Sequence, residues 1–196
     1  MPLMTVFEPL FLLLVLASVL TLLTVAIAAL RGQRERALRI LRRLAVGACA
    51  YFAVVLLVAL VTPQKVYGVG DPQCFDDWCI TVVDAKGTPG PSTVSWTVTL
   101  RVSSRARRVA QAEKGAAVYL TDVRHRRFDP VPGASTVGLD TRLQPGESVD
   151  AVRQFELPSD ATGVGLIFTH EGVFPIWTFI VGENQWFHPL AIVRLD

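Results

Sequence analysis

Hydrophobic positions follow two regimes along this chain. Up to residue 62 they come in unbroken runs, and beyond it they alternate. "LFLLLVLASVLTLLTVAIAAL" (10–30) and "LAVGACAYFAVVLLVALVT" (44–62) carry no charge. Each approaches the ~20 residues that cross a hydrocarbon core of ~30 Å. In lipid the backbone must satisfy its own hydrogen bonds, so both runs are expected as helices despite their β-branched residues.

After Pro63 the period becomes two. In "TVSWTVTLRVSS" (93–104), Val94, Trp96, Val98, Leu100 and Val102 share one face. Such alternation predicts a half-buried strand. In "WCITVVDA" (78–85), Trp78, Ile80 and Val82 alternate in the same way. Further strands are expected at 115–123, 149–158, 163–170, 175–182 and 188–196. The turn clusters "DAKGTPGPS", "DPVPGAS" and "LQPGES" stand between strands. "RRVAQAEKGA" (107–116) predicts one helical turn at most. Six to eight short strands of this spacing fit an all-β sandwich. The organisation read from the pattern is a helical hairpin at 1–62, a linker and cysteine loop at 63–77, and a sandwich at 78–196.

Charge orients the hairpin. Between the runs, residues 31–43 carry Arg31, Arg34, Arg36, Arg39, Arg42 and Arg43 against one acid, Glu35. Short arginine-rich loops remain cytoplasmic. The N-terminus and everything after residue 62 are therefore expected outside, and the arginines are expected at anionic lipid headgroups. A position between two spans argues against a nucleic-acid patch. A cleaved signal would carry its positive charges before the apolar run, and here they follow it. "VGAC" (46–49) is like a lipoprotein cleavage box, yet it lacks the long apolar stretch before Cys49. Cys49 reads instead as a small residue at a helix contact, beside Gly47, Ala48 and Ala50. Neither run contains an ionisable acid, base or histidine, which argues against an ion path or haem ligation there.

The charge of residues 63–196 is near balanced, so no polyanionic partner is implied. Outside the cytoplasm Cys74 and Cys79, close in sequence, most simply form a disulfide. Free thiols and a metal site are the alternatives, and a zinc site would need further ligands at suitable spacing. Asp76 and Asp77 read as exposed acids in that loop. His125, His170 and His188 are scattered. There is no G-x-S-x-G elbow, Walker loop or dinucleotide fingerprint. No enzyme activity, metal or cofactor is expected. Two arginine groups are contact candidates for lipid or an acidic partner: Arg105, Arg107 and Arg108, and Arg124, Arg126 and Arg127. Trp186 and Phe187, in "GENQWFHP", are candidates for a partner or membrane contact.

One resemblance covers roughly residues 78–170. Tyr119, Leu120 and Asp122 in one strand, Leu143, Pro145, Gly146 and Glu147 in a turn, and Phe155, Leu157 and Pro158 in the next strand resemble the immunoglobulin-like domains of bacterial lipoproteins and membrane anchors. The resemblance implies an extracytoplasmic immunoglobulin-like β-sandwich used for binding or assembly, and no reaction. The expected protein is a membrane-anchored all-β chain of the bacterial cytoplasmic membrane, with two spans and an outer sandwich. Its expected role is a non-catalytic accessory or assembly subunit, with other membrane subunits and anionic lipids as partners. The alternative is a free-standing ligand-binding or surface-sensing anchor, which a pocket in the sandwich would favour.

Overall fold

The computed structural model describes residues 7–75, 77–134, 137–171 and 188–195, with side chains from Pro9 onward. The expected strand at 175–182 and the candidates Trp186 and Phe187 lie outside the described residues, as does Asp76. The chain divides into two units, one running to Pro63 and the other taking in residues 64–174 and 190–196.

The first unit is two apolar helices, α1 (Phe7–Leu30) and α2 (Arg34–Val61). By length and composition both can cross a membrane. The hydroxyls of Ser18, Thr21 and Thr24 donate back to the carbonyls of Leu14, Ala17 and Thr21, so these polar groups are satisfied within the helix. Gly32 ends α1 at a φ of 73°. Its N–H donates to Ala29 O and the Gln33 N–H to Ala28 O, a C-terminal cap that needs a left-handed residue. The arginine segment is helical, not a 13-residue loop: Arg34, Arg36, Arg39, Arg42 and Arg43 lie on α2, and Arg31 lies in the turn. Arginine, leucine and alanine are strong helix formers, so charge does not break the helix here. All six arginines are exposed.

On α1 the least exposed described side chains are Phe11, Ser18, Thr21, Val25 and Ala28. They recur at heptad spacing and form a seam. On α2, Ala37, Val55 and Ala59 are buried. Small residues on both helices allow close approach.

The second unit is built from β1 (Val66–Tyr67), β2 (Pro72–Phe75), β3 (Trp78–Pro89), β4 (Thr93–Ser104), β5 (Ala116–Thr121), β6 (Arg127–Phe128), β7 (Ser148–Pro158), β8 (Gly165–His170) and β9 (Ile192–Arg194). One sheet has the order β1-β9-β8-β5-β6 and the other β2-β3-β4-β7. All described pairings are antiparallel except β1 with β9. The inner faces share a core of Trp78, Ile80, Val98, Leu100, Leu120, Phe155, Leu157, Leu166 and Val193 among others. Strong alternation on β3, β4 and β7 produces this layer: burying every second residue of facing strands removes one continuous apolar surface from water.

The alternation on β3 is interrupted once. Register with β4 shifts between Val82 and Asp84. Val83, the extra residue, is exposed, and the inward row resumes at Ala85. This is a β-bulge, and it re-aims the rest of the strand. No helical turn forms at 107–116. Gln111 instead pairs with Leu143 in an isolated bridge. Strands β1 and β2 lie inside the segment read from sequence as a linker.

Candidate functional site

One end of the sandwich gathers the cysteine loop, the first arginine group and a histidine. Cys74 and Cys79 face each other across the β2–β3 hairpin and form a disulfide, with Cα atoms 4.0 Å apart. The turn is held to the next loop by the Arg105 N–H, which donates to Asp77 O at 2.6 Å. The Phe75 ring meets the His170 ring edge-on at 5.2 Å, which links the two sheets at this end. His170 Nε2 lies 2.9 Å from Glu113 Oε1. Val66 pairs with Ile192 and Ile192 with Ile167, so β1 runs beside β9 with its start toward the His170 end of β8.

Arg105, Arg107 and Arg108 extend from this end. Ala106 is buried and pins the loop, and the three arginines are exposed. Among the described residues none has a carboxylate within ion-pair distance. Val109, the next residue, is 63% exposed. The loop thus presents three cations and an apolar side chain to solvent.

The second arginine group is arranged differently. Asp122 follows β5 and organises the turn: its Oδ1 accepts the N–H groups of Arg124 and Arg126, each at 3.0 Å. Its Oδ2 accepts from Arg126 Nε at 2.7 Å. The Asp122 side chain is fully buried. Burial by itself would raise its pKa, but the hydrogen bonds from Arg126 and Arg124 and the Arg126 charge together hold it below the ordinary value. His125 sits at the turn's tip with φ at 58°, a conformation this turn imposes. Arg124 and Arg126 also bind Asp160. Arg127 binds Asp129 and Glu171 and lies over the Tyr119 ring. All three are therefore committed to acids of the same domain. Asp122 and Asp129 lie close in sequence to this second group, while its other acids, Asp160 and Glu171, are distant.

A residue that sequence reading passed over stands nearby. On β7 the inward row is Ala151, Arg153, Phe155 and Leu157, all buried. Arg153, at 6% exposure, is an arginine in a core row. Its Nη1 donates to Val152 O at 2.9 Å and its Nη2 to Val137 O at 2.7 Å. Burial lowers its pKa, with the Asp140 charge acting the other way. A cavity of about 350 Å³ adjoins it, lined also by Ala117, Leu139, Arg127, Asp129 and Glu171. The signal in the sequence is the single charge at the third position of "VDAVRQFEL" on the apolar parity.

The helices carry an apolar groove of about 440 Å³, lined by Phe11, Val15, Ser18, Gly47, Ala48 and Phe52 among others. A Cβ at Gly47 would meet nothing within 4 Å. Cys49 is exposed and free. Among the described residues no group of three or more His, Cys, Asp or Glu is placed to hold a metal ion.

No protein-family model and no curated protein matches the chain. Two solved structures are similar to it. An uncharacterized β-sandwich protein from Clostridium difficile shares 11% identity at a TM-score of 0.43, covering 69% of this chain and 97% of its own. A conserved hypothetical protein from Bacillus anthracis shares 14% identity at a TM-score of 0.40, covering 55% of this chain and 92% of its own.

Proposed function

We propose that this protein is a membrane-anchored, non-catalytic accessory or assembly subunit. Helices α1 and α2 span the bacterial cytoplasmic membrane and pack on helices of a partner. The sandwich stands on the extracytoplasmic side, where the Cys74–Cys79 disulfide is stable. An immunoglobulin-like arrangement is supported by the strand order, which divides β3, β4 and β7 from β5, β8 and β9 with connections crossing between the sheets.

The observation that carries this reading is the groove between α1 and α2. Lipid and a partner helix are equally apolar, so what favours a helix there is close packing against small residues. Ser18, Gly47 and Ala48 supply such a surface, and Gly47 has open space above it. Partner contact at the sandwich is assigned to the exposed Arg105–Val109 loop. Among the described residues its cations have no carboxylate within ion-pair distance, and anionic headgroups or partner acids complete them. A photo-crosslinking residue at Gly47 tests the reading in native membranes. A discrete protein adduct supports it, and adducts with lipid alone contradict it.

A second reading, a ligand-binding anchor, is favoured by the cavity beside Arg153.

A further inference from the structure

Arg153 is a buried cation whose neutralisation is incomplete. A guanidinium offers five donors in a planar fork. Two described bonds, both to carbonyl oxygens, use part of that capacity. Among the described residues no carboxylate lies within ion-pair distance of it. Buried charges are costly unless paired, and a well-packed apolar residue would suit this row of β7 as Ala151, Phe155 and Leu157 do. Arg153 also lines a cavity, so its surroundings are shaped around space as well as packing.

The same cavity is also lined by carboxylates. Arg127 is held by Asp129 at 2.7 Å and by Glu171 at 2.6 Å. Two carboxylates around one guanidinium leave one negative charge in excess. The lining therefore carries both signs: Arg153 is positive, and the Asp129–Arg127–Glu171 group is net negative. Its volume of about 350 Å³ is in the range of small-molecule sites, which begin near ~300 Å³.

We propose that this cavity binds a small zwitterion of the α-amino-acid class, with its carboxylate on the fork of Arg153 and its ammonium toward Asp129 and Glu171. Arginine matches a carboxylate in bidentate geometry, as a lysine cannot. The exposed lining is mostly polar, which favours amino acids with a small or polar side chain. The site goes beyond the assembly role and does not depend on it: a subunit can carry a ligand, and a ligand site can exist without a partner.

The test uses the full chain in detergent and a panel of free L-amino acids, with acetate and ethylammonium as half-ligand controls at matched ionic strength. Thermal shift and calorimetric titration read binding. The expected result is at least one amino acid that binds ~10-fold or more tighter than either control, a factor that would reflect both ends acting together. R153L is expected to abolish that advantage, and R153K to weaken it. D129N with E171Q is expected to lose the preference over acetate. Should R153L fail to fold, A117F blocks the cavity from β5 and is expected to remove binding with the sandwich intact. The proposal is overturned if no amino acid on the panel binds better than the controls, or if A117F and R153K bind as well as the wild type.

Discussion

Arg126 Nε donates to Asp122 Oδ2 at 2.7 Å, and the same guanidinium reaches Asp160 at 3.1 Å. One arginine thus joins the β5–β6 turn to the segment after β7. Asp122 is the deepest group in this network, and its folded pKa lies below its ordinary value. Such a carboxylate contributes stability that is present above its unfolded pKa, about 3.9, and lost as pH falls through the lower folded value. Asp150 and Asp160 are shifted the same way, each chiefly by an arginine hydrogen bond. The melting temperature should be steady near neutrality and fall below about pH 4. Asp122→Asn should melt several degrees lower at pH 7 and show a shallower acid slope. An unchanged slope would remove Asp122 from the account.

The core and the surface should respond unequally. Leu100 is fully buried between the sheets, and Val123 is 63% exposed. Leu100→Ala should cost about 2–5 kcal/mol by loss of burial and creation of a cavity. Val123→Ala should stay within about 0.5 kcal/mol of the wild type. Urea unfolding followed by tryptophan fluorescence separates the two, and equal costs would contradict the described core.

The disulfide closes a short loop, so its contribution is limited. Cys74→Ala with Cys79→Ala should lower stability by about 2 kcal/mol without changing the fold. Its specific effect should be local. Hydrogen exchange should quicken at the Arg105 amide, which donates to Asp77 across the same turn. Exchange that quickens uniformly across the sandwich would argue for a wider role.

Much of this architecture was legible in the chain. Val98, Leu100 and Val102 form an inward row as their alternation predicts, and Trp78, Ile80 and Val82 do the same. β1, β2 and β6, of two to four residues, escaped notice because too few positions are present to set a period, whereas β9 falls within the expected 188–196. β1 exists through its pairing with β9, more than a hundred residues away. The bulge at Val83 is a relation between two strands, so "WCITVVDA" alone does not reveal it. The arginine groups looked alike because local sequence shows a charge and not its distant acid: Arg124 meets Asp160 and Arg127 meets Glu171. Arg153 was visible on the apolar parity of β7, but an isolated charge in a strand is ordinarily read as solvent-facing.

The Arg105–Val109 loop should respond to lipid charge. In nanodiscs with anionic lipid its amides should exchange more slowly than in zwitterionic nanodiscs, and salt should erase the difference because exposed charges are screened beyond ~8 Å at physiological ionic strength. Charge reversal at Arg105, Arg107 and Arg108 should abolish the protection. Protection that persists after reversal would point to Val109 or another contact.

The central claim is that the helices belong to a larger assembly. The most direct measurement is the mass of the full chain extracted in mild detergent at its natural expression level, compared with that of Gly47→Leu. The open space over Gly47 means the added side chain should leave the hairpin folded. The account predicts a discrete complex heavier than one chain for the wild type and a shift toward the single chain for Gly47→Leu. A wild-type protein that migrates alone, or a complex untouched by Gly47→Leu, would contradict it.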